Sequence, residues 1–358
     1  MSFSDKELAA MNATSDLGIE GIEFLEYASP TPEALVTLFH RLGFKKTGAH
    51  KSKNISLFEQ NDIRFLLNEE PKSFAADFHK AHGPSICSMG WRVKNAKKAF
   101  EMALANGARE FKGGDTGPGV TPTHAVYGIG DSLIYFIDDA ADKSFYKKAY
   151  NAFNDTTPVT PKKLLKIDHL TNNVPKGEMQ KWCDFYGKIF GFKEVRYFDI
   201  KGLKTGLISK VMVSPGYKVM IPINEPSDGK SQIQEYLDVY HGSGIQHIAF
   251  EVKSAIDAVK ELNKDNIAFL DAPPGAYYSM LKGRLPLLKE PVEELKKLSL
   301  LADGDEAGYI VQIFTKNMLG PIFYELIQRE NHWGFGDGNF QALFDSIERE
   351  QEQRGYLK

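Results

Sequence analysis

The sequence predicts an α+β fold of two tandem domains, each built from repeated βαβββ modules, with a further helix at the C-terminus. The first observation is an order of strand, helix and short strands that runs twice through each half of the chain. The second is that short sequences return. Leu42-Gly-Phe44 is matched by Phe190-Gly-Phe192, and Trp91-Arg-Val-Lys by Phe250-Glu-Val-Lys. The third is that residues 154–163 are rich in Pro, Thr and Asp, as linkers are.

Length and composition indicate a soluble protein of about two domains. A chain of 358 residues is too long for one ordinary hydrophobic core. The 44 basic and 47 acidic residues nearly balance, which argues against a nucleic-acid surface or a polybasic membrane anchor. Cys87 and Cys183 lie in apolar or helical segments, so we expect no disulfide framework and a cytoplasmic location. No apolar run suits a signal peptide or approaches the ~18 residues of a membrane span.

Apolar periodicity and turn residues place the elements of residues 1–153, the predicted N-terminal structural domain. Residues 1–18 are polar and are expected to be loose. A helix is predicted to begin at Pro32, capped by Thr31, and to end at Gly43. A second helix is predicted at Ala96–Asn106. Strands are predicted at Ile19–Tyr27, Phe44–Thr47, Ile55–Glu59, Ile63–Leu67, Ile86–Val93, His124–Tyr127 and Leu133–Asp138.

The same order returns in residues 164–330, the predicted catalytic domain. Strands are predicted at Leu164–Thr171, within 193–223 and at Ile245–Val252. Helices are predicted at Met179–Phe190 and Ala255–Leu262. The repetition predicts that this domain has the architecture of the first one.

The sequence of residues 331–358 predicts a lid, that is, a segment that closes over a pocket. Three glycines between Gly334 and Asn339 loosen the backbone, and Phe340–Arg354 has the periodicity of an amphipathic helix. Its apolar stripe is Phe340, Leu343, Phe344 and Ile347, and its predicted water-facing side chains are Glu348, Arg349, Glu350 and Arg354. A flexible segment that leads into such a helix is suited to closing a pocket. A helix docked permanently on the core is the alternative.

Three metal-capable side chains, His169, His247 and Glu325, each lie in a short apolar run. They are 78 residues apart in turn, from 169 to 247 and from 247 to 325. A histidine in an apolar strand is more often a core residue than a ligand, but a glutamate is rarely buried without a positive partner. Two histidines and one carboxylate, with other coordination positions open, are the ligand set of non-haem Fe(II) oxygenases.

The internal repeat offers a control for this interpretation. Superposing the two halves of the sequence places Phe24 opposite His169, Ser88 opposite His247, and Phe136 opposite Glu325. None of the three is a good iron ligand. We therefore expect one metal site, in the second half only.

Neutral amide side chains stand in apolar surroundings in the second half, at Asn224, Gln232, Gln234, Gln246 and Gln312. Buried amides need hydrogen-bond partners, which could belong to the protein or to a polar substrate. The pattern leaves both readings open. Gln246 directly precedes His247, so a regular strand would point it to the opposite face.

Several motifs in order resemble the 4-hydroxyphenylpyruvate dioxygenase family of the vicinal-oxygen-chelate fold, over nearly the whole chain. In the second half they are Ile167-Asp-His169-Leu-Thr, Ile221-Pro-Ile-Asn-Glu-Pro226, Ser231-Gln-Ile-Gln234, Gly244-Ile-Gln-His247, Ala272-Pro-Pro-Gly-Ala-Tyr-Tyr278, Gln312-Ile-Phe-Thr-Lys, Glu325-Leu-Ile-Gln-Arg329 and Gly334-Phe-Gly-Asp-Gly-Asn-Phe340. In the first half they are Phe24-Leu-Glu-Tyr-Ala-Ser-Pro30, Lys51-Ser-Lys-Asn54 and Leu67-Asn-Glu-Glu-Pro71.

The resemblance implies an enzyme that converts 4-hydroxyphenylpyruvate and O2 to homogentisate and CO2 in tyrosine catabolism. It implies Fe(II) held by His169, His247 and Glu325. It also implies a substrate pocket of Ser209, Asn224, Gln232, Gln246, Gln312, Phe314, Phe335, Asn339 and Phe340. Asn224, Gln246 and Gln312 are the implied catalytic amides, which would orient oxygen ligands without acting as strong acids or bases. A homodimer or homotetramer is the implied assembly.

Two other functions stay open on the same fold. One is 4-hydroxymandelate synthase, which oxidises the benzylic carbon of the same substrate. The other is a non-catalytic binding or resistance protein. A pigment-associated haemolysin is a further reading, which is compatible with the enzyme because homogentisate oxidises to pigment.

Overall fold

Two eight-stranded sheets organise the chain, one in each half. The computed structural model describes residues 5–113, 117–119, 124–138, 144–202, 204–271, 273 and 275–357. The helices of the first half are α1 (Asp5–Asn12), α2 (Pro32–Arg41), α3 (Phe74–His82), α4 (Ala96–Ala105) and α5 (Ser144–Ala149). Its strands are β1 (Ile19–Ala28), β2 (Lys45–His50), β3 (Ile55–Gln60), β4 (Ile63–Asn68), β5 (Ser85–Val93), β6 (Ala125–Tyr127), β7 (Leu133–Ile137) and β8 (Tyr150–Ala152).

The second half carries its own sheet and the C-terminal helix. Its strands are β9 (Leu164–Asn173), β10 (Lys193–Lys201), β11 (Gly206–Val213), β12 (Met220–Pro226), β13 (Gly244–Val252), β14 (Leu301–Gly304), β15 (Tyr309–Phe314) and β16 (Phe323–Glu330). Its helices are α6 (Met179–Phe190), α7 (Gln232–Tyr240), α8 (Ala255–Lys264), α9 (Gly275–Arg284), α10 (Val292–Lys297) and α11 (Phe340–Gln353).

Strand order confirms the predicted duplication. The first sheet runs β6-β7-β5-β1-β4-β3-β2-β8, and the second runs β10-β11-β12-β9-β13-β16-β15-β14. Read backwards from β15 to β10, the second order matches the first from β6 to β2. The central pairs match in direction as well: β1 with β4 and β9 with β12 are parallel, while β1 with β5 and β9 with β13 are antiparallel.

The central antiparallel pair of each half contains β-bulges at equivalent places. In the first half the pairing of β1 with β5 skips Glu23 on one strand and Cys87 on the other. In the second half the pairing of β9 with β13 skips Asp168 and Gln246. A bulge inserts one extra residue and re-aims the side chains beside it, which breaks the alternation of a regular strand. Two consecutive side chains can therefore reach the same side of these sheets.

The register corrects one position of the internal superposition. β5 pairs Gly90 with Tyr135 of β7, and β13 pairs Ala249 with Glu325 of β16. Tyr135, not Phe136, is therefore the counterpart of Glu325. A shift of one residue exchanges the two faces of a strand, and nothing in the sequence between β5 and β7 fixes that register. No histidine or carboxylate occupies the three equivalent positions of the first half.

Six helices were not predicted, namely α1, α3, α5, α7, α9 and α10. The expectation that residues 1–18 are loose is wrong for α1, because Glu7 is buried and its Oε1 accepts from Nε of Arg196 at 3.0 Å. Such a long-range ion pair leaves no local signal in the sequence. Pro32 begins α2 as predicted, but the side chain of Thr31 makes no capping hydrogen bond.

One hydrophobic core runs through both halves. Phe250 of β13 contacts Phe44 and Phe65 of the first half, with ring centroids 6.4 and 6.2 Å apart. The hydroxyls of Tyr27 and Tyr324 lie 3.4 Å apart across the same contact. Since side chains alternate along a strand, Glu325 and Ala249 face away from this shared core. Among the described helices, none is both long and apolar enough to cross a membrane.

Candidate metal centre and substrate cavity

Three neighbouring strands of the second sheet bring His169, His247 and Glu325 together. The pairing of β9, β13 and β16 sets Ala249 beside both His169 and Glu325. Nε2 of His169 lies 3.3 Å from Oε2 of Glu325, and Nε2 of His247 lies 3.4 Å from the same oxygen. One donor atom of each residue lies within 4.8 Å of the others, and no other described group of His, Cys, Asp and Glu converges in this way.

The residue before each histidine fixes the orientation of its ring. Oδ1 of Asp168 accepts a hydrogen bond from Nδ1 of His169 at 2.7 Å. Oε1 of Gln246 accepts one from Nδ1 of His247 at 3.2 Å. Both partners are the extra residues of the two bulges, which turn them to the side of the histidines. Each ring therefore donates through Nδ1 and presents Nε2 to the centre, the orientation that a metal-binding imidazole requires.

The prediction that Gln246 faces away from His247 is therefore wrong. It assumed the alternation of a regular strand, whereas β13 bulges at this residue. Gln246 instead lines the same cavity as His247. The bulge depends on the register with β9, a contact between distant parts of the sequence.

Electrostatics at the centre favour a cation. Burial raises the pKa of Glu325, but His169 and His247 outweigh burial and hold it below its ordinary value. Burial lowers the pKa of His169, but Glu325 and Asp168 outweigh that effect and raise it to about 9. Burial prevails at His247, whose pKa is lowered. A buried carboxylate facing two oriented imidazoles fits a divalent transition metal, since nitrogen and oxygen donors of this kind are its usual ligands.

A cavity of about 640 Å³ opens beside the three residues. Its other lining side chains are uncharged, and most are apolar: Thr171, Phe198, Ile200, Leu207, Ser209, Val211, Pro222, Asn224, Gln232, Gln246, Phe314, Phe323, Phe335, Phe340, Leu343, Phe344 and Ile347. The cavity therefore suits a small, largely apolar molecule with a few polar groups.

Comparison with known proteins places the chain in a family. Residues 14–151 match the family described as hydroxyphenylpyruvate dioxygenase, HPPD, N-terminal. Residues 166–295 match the glyoxalase/bleomycin resistance protein/dioxygenase superfamily. A 4-hydroxyphenylpyruvate dioxygenase of Pseudomonas sp. is 44% identical, over 95% of this chain and 97% of the relative. The chain belongs to the 4-hydroxyphenylpyruvate dioxygenase family.

Other relatives carry different names. Protein MelA of Shewanella colwelliana is 48% identical, over 95% of this chain and 98% of the relative. Hemolysin VllY of Vibrio vulnificus is 44% identical, over 97% and 99% of the two chains. Among solved structures, a triple mutant of 4-hydroxymandelate synthase from Streptomyces coelicolor is similar, with a TM-score of 0.78, 25% identity and coverage of 93% and 99%. The predicted pair of vicinal-oxygen-chelate domains is confirmed, and the family makes the chain a metal-dependent dioxygenase.

The structure gathers most of the pocket residues that the resemblance to the 4-hydroxyphenylpyruvate dioxygenase family implied. The predicted residues that line the cavity are Ser209, Asn224, Gln232, Gln246, Phe314, Phe335 and Phe340. Ser209 and Asn224 face each other across β11 and β12, so the two form one polar spot in an apolar wall. Their roles in substrate binding stay predictions.

Gln312 and Asn339 are not among the lining side chains. Gln312 is fully buried, and neither polar atom of its side chain has a hydrogen-bond partner among the described residues. A Cβ atom added to Gly336 would lie 2.5 Å from Gln312 Nε2, so this amide packs directly against the segment before α11. Oδ1 of Asn339 accepts from the hydroxyl of Tyr277 at 2.6 Å. Direct substrate contact by these two amides stays a prediction.

Sequence reasoning missed several residues around this candidate site. The hydroxyl of Thr171 lies 3.0 Å from Nε2 of His247, and Phe323 stacks on that imidazole at 4.8 Å. Each lies two positions from a predicted ligand on the same strand, so alternation could have found both. Phe198 and Ile200 of β10 also line the cavity. No local pattern marks them, because β10 reaches the site only through the pairing of the sheet.

The C-terminal helix covers this cavity. The predicted stripe of Phe340, Leu343, Phe344 and Ile347 lines it. The prediction that Glu348 faces water is wrong, since it is only 4% exposed. Its Oε1 accepts from the backbone amide of Thr205 at 2.9 Å and from the hydroxyl of the same residue at 2.8 Å. Helix α11 is thus docked on the turn between β10 and β11 by a carboxylate as well as by its apolar side.

Proposed function

We propose that this chain converts 4-hydroxyphenylpyruvate and O2 to homogentisate and CO2, with Fe(II) held by His169, His247 and Glu325. The observation that carries the proposal is the convergence of the three donor atoms at the wall of an otherwise uncharged cavity. Membership of the dioxygenase family supports the reaction and the substrate. The set of two imidazoles and one carboxylate supports iron.

The protein's own part in the reaction is to orient the substrate, to enclose it and to exclude water from the cavity. Bound iron would supply the activation of O2 and the oxidation that accompanies loss of CO2. Asp168 and Gln246 hold the two imidazoles with Nε2 toward the metal position. The three side chains would hold the metal at the cavity wall, where the 2-oxo acid group of the substrate would bind.

Neutral amides suit the polar part of the pocket. Asn224, Gln232 and Gln246 line the cavity and can donate to oxygen atoms without moving protons at neutral pH. Nδ2 of Asn224 donates to Oδ1 of Asn173 at 3.2 Å, which fixes the orientation of its amide. We expect these groups to orient the phenol and carboxylate oxygens of the substrate.

Aromatic walls suit the ring of the substrate. Phe314 and Phe335 lie on either side of the histidines, with Phe335 5.3 Å from the ring of His169 and Phe314 6.2 Å from that of His247. Phe340 of α11 packs edge-on against Phe198 at 4.8 Å. We infer that α11 acts as a lid, which brings Phe340 over the substrate and keeps water from the reacting atoms.

4-Hydroxymandelate synthase is the second candidate, because a solved structure of that enzyme shares the fold. Its sequence is less similar to this chain than those of the dioxygenases are. The two enzymes differ in the carbon that they oxidise, so the identity of the product separates them.

Anaerobic reconstitution with Fe(II), followed by oxygen uptake with 4-hydroxyphenylpyruvate and product identification, tests the proposal. We expect one equivalent of homogentisate per O2 consumed. Hydroxymandelate as product would assign the synthase. An absence of oxygen uptake by iron-loaded protein would instead favour a non-catalytic binding protein.

The assembly and location are proposals of the same kind. We propose a homodimer or homotetramer, as the family resemblance implies, and a location in the cytoplasm, as the two buried free cysteines favour. Light scattering of the purified protein measures the first, and a monomer would contradict it. Fractionation of cells that express the protein measures the second.

A further inference from the structure

Arg329 is a buried cation beside the metal centre, and the proposed reaction gives it no role. It lies on β16 four residues after Glu325, so both side chains project from the same face of the strand. Its side chain is 7% exposed. Nε and Nη2 of Arg329 donate to the two carboxylate oxygens of Asp168, each at 2.7 Å. Oδ1 of Asp168 also accepts from Nδ1 of His169.

The remaining nitrogen of Arg329 faces the segment that leads to α11. Nη1 donates to the backbone carbonyls of His332 at 3.2 Å and Gly334 at 2.7 Å. The guanidinium also lies 5.7 Å from the ring centroid of Phe335, within the range of a cation–π contact. Phe335 in turn packs edge-on against the imidazole of His169 at 5.3 Å. Residues 332–336, here called the hinge segment, thus reach His169 through Arg329 and through Phe335.

A guanidinium can join these groups because it is a rigid planar fork. Two of its nitrogens match a carboxylate while the third points elsewhere at a fixed angle. The positions of Asp168 and of the two hinge carbonyls are therefore set relative to each other by one side chain. A lysine keeps the charge but is a single flexible point donor, so it cannot hold both partners in this geometry.

We propose that Arg329 is a positioning residue that couples docking of the hinge segment to the orientation of the metal ligand His169, through Asp168. The inference rests on the proposed function, because it takes His169 as a ligand. Coupling between two sites is reciprocal. Metal binding therefore stabilises the docked hinge segment, and the docked segment tightens metal binding.

The first half contains a matched ion pair without a metal or a hinge segment. Glu23 occupies the bulge position equivalent to Asp168. Nη1 of Arg64 lies 3.1 Å from Oε1 of Glu23, and the side chain of Arg64 is 6% exposed. Arg64→Lys therefore reports the effect of altering a buried arginine–carboxylate pair as such.

The experiment measures Fe(II) affinity by anaerobic titration and amide hydrogen exchange of residues 331–340, with and without Fe(II). We compare the wild-type protein with Arg329→Lys, Asp168→Asn and Arg64→Lys. In the wild-type protein we expect Fe(II) to slow exchange in the hinge segment. Arg329→Lys and Asp168→Asn are expected to bind Fe(II) about 10- to 100-fold more weakly, as changes beside a ligand usually do. Both should also lose the Fe(II)-dependent slowing, whereas Arg64→Lys should keep both properties.

The double variant Arg329→Lys with Asp168→Asn adds a further check. Residues that act along one path are not additive, so its affinity should fall no further than that of the weaker single variant.

Two results would overturn the inference. One is wild-type exchange in residues 331–340 that does not respond to bound Fe(II), a measurement that needs no variant to fold. The other is an Arg329→Lys protein that matches Arg64→Lys in Fe(II) affinity. Neither readout depends on turnover. A wild-type protein that binds Fe(II) but makes no homogentisate would refute the proposed function and leave the coupling intact.

Discussion

The two imidazoles of the metal centre have unlike partners. Nδ1 of His169 donates to a carboxylate, Asp168, whereas Nδ1 of His247 donates to a neutral amide, Gln246. A carboxylate partner makes the imidazole a stronger donor to metal than an amide does. The pKa values of the two imidazoles differ in the same sense: that of His169 is raised and that of His247 is lowered. The two histidines therefore differ as candidate ligands although they lie on adjacent strands.

Replacing any of the three ligands tests the site directly. His169→Ala, His247→Ala and Glu325→Ala should each reduce turnover by more than about 100-fold. Replacing a residue that only hydrogen-bonds to a metal ligand already costs about 10- to 100-fold in affinity or activity. Iron content, measured by elemental mass spectrometry, should fall together with turnover. His79→Ala on α3 is the control and should keep its iron. Near-normal activity in any of the three ligand variants would contradict the assignment.

Glu26 predicts a pH dependence of stability in the first half. It is 2% exposed and accepts from the hydroxyl of Ser88 at 2.5 Å and from Nδ2 of Asn68 at 2.7 Å. Burial is the largest effect and raises the pKa of Glu26, although both hydrogen bonds lower it. The folded protein therefore binds this proton more tightly than the unfolded chain, whose pKa is about 4.3.

The sign of the effect follows from linkage. Stability from a raised carboxyl pKa is present below about 4.3 and is lost as the pH rises through the folded value. Glu26→Gln mimics the protonated acid, so it should gain stability relative to the wild-type protein between pH 4 and 7. Each tenfold difference in proton affinity is worth about 1.4 kcal/mol. Urea unfolding across this pH range is the measurement, and a relative loss for Glu26→Gln at higher pH would contradict it.

Helix α11 is the element that we propose to enclose the substrate. Four of its apolar side chains line the cavity, and Glu348 fastens it to the turn after β10. Gly202 in that turn leaves no room for a larger residue, because a Cβ atom there would collide with Phe344. The helix therefore docks by close packing and by one buried carboxylate.

Phe340 tests whether this helix contributes to substrate binding. Phe340→Ala removes a ring from the cavity wall but touches none of the three metal ligands. We expect a weaker affinity for 4-hydroxyphenylpyruvate, by about 3 kcal/mol or less, with unchanged iron content. Binding is measured by anaerobic titration of the iron-loaded protein. Unchanged affinity would exclude a role for this ring.

Glu348 tests the docking of the helix separately. Glu348→Ala leaves the buried amide and hydroxyl of Thr205 without their acceptor, which costs about 1–3 kcal/mol per group. We expect easier opening of α11, seen as less homogentisate per O2 consumed. Gln353→Ala, at an exposed position of the same helix, is the control. An unchanged yield in the Glu348 variant would show that docking does not protect the reaction.

The elements that sequence predicted well are those with a local cause. Helix α6 begins and ends where predicted, because Met179–Phe190 has apolar residues at helical spacing and Gly191 follows in a left-handed conformation. The convergence of His169, His247 and Glu325 was predictable for a similar reason, since a polar side chain within an apolar run is conspicuous in any sequence. Nothing local marks the bulges, the docking of α1, or the burial of Arg329 and Glu348, which depend on contacts between distant segments.

At the scale of the whole molecule, the first half packs against the face of the second sheet that lies opposite the cavity. The shared core joins the faces of the two sheets that lie opposite the cavity, through Phe44, Phe65 and Phe250. The side of the second sheet that carries His169, His247 and Glu325 lines the cavity. The first half thus packs behind the candidate metal centre and contributes none of its three side chains.

One metal ion per chain is the corresponding prediction. The first half has Phe24, Ser88 and Tyr135 where the second has its ligands, so it should bind none. Metal analysis of the fully loaded protein should give about one iron per chain. Two irons per chain would contradict the assignment of the first half as structural.

The equivalent bulges of the two halves show that the backbone distortion is independent of the side chains that it positions. Both halves break the alternation of their central strands at the same three places, yet only one half carries the predicted metal ligands. The irregularity therefore belongs to the architecture and does not require a metal to maintain it. In the first half the same distortion aims Glu23 at two arginines and forms an internal ion-pair cluster. The same backbone distortion therefore positions predicted metal ligands in one half and a buried ion pair in the other. Only the side chains at the bulges differ.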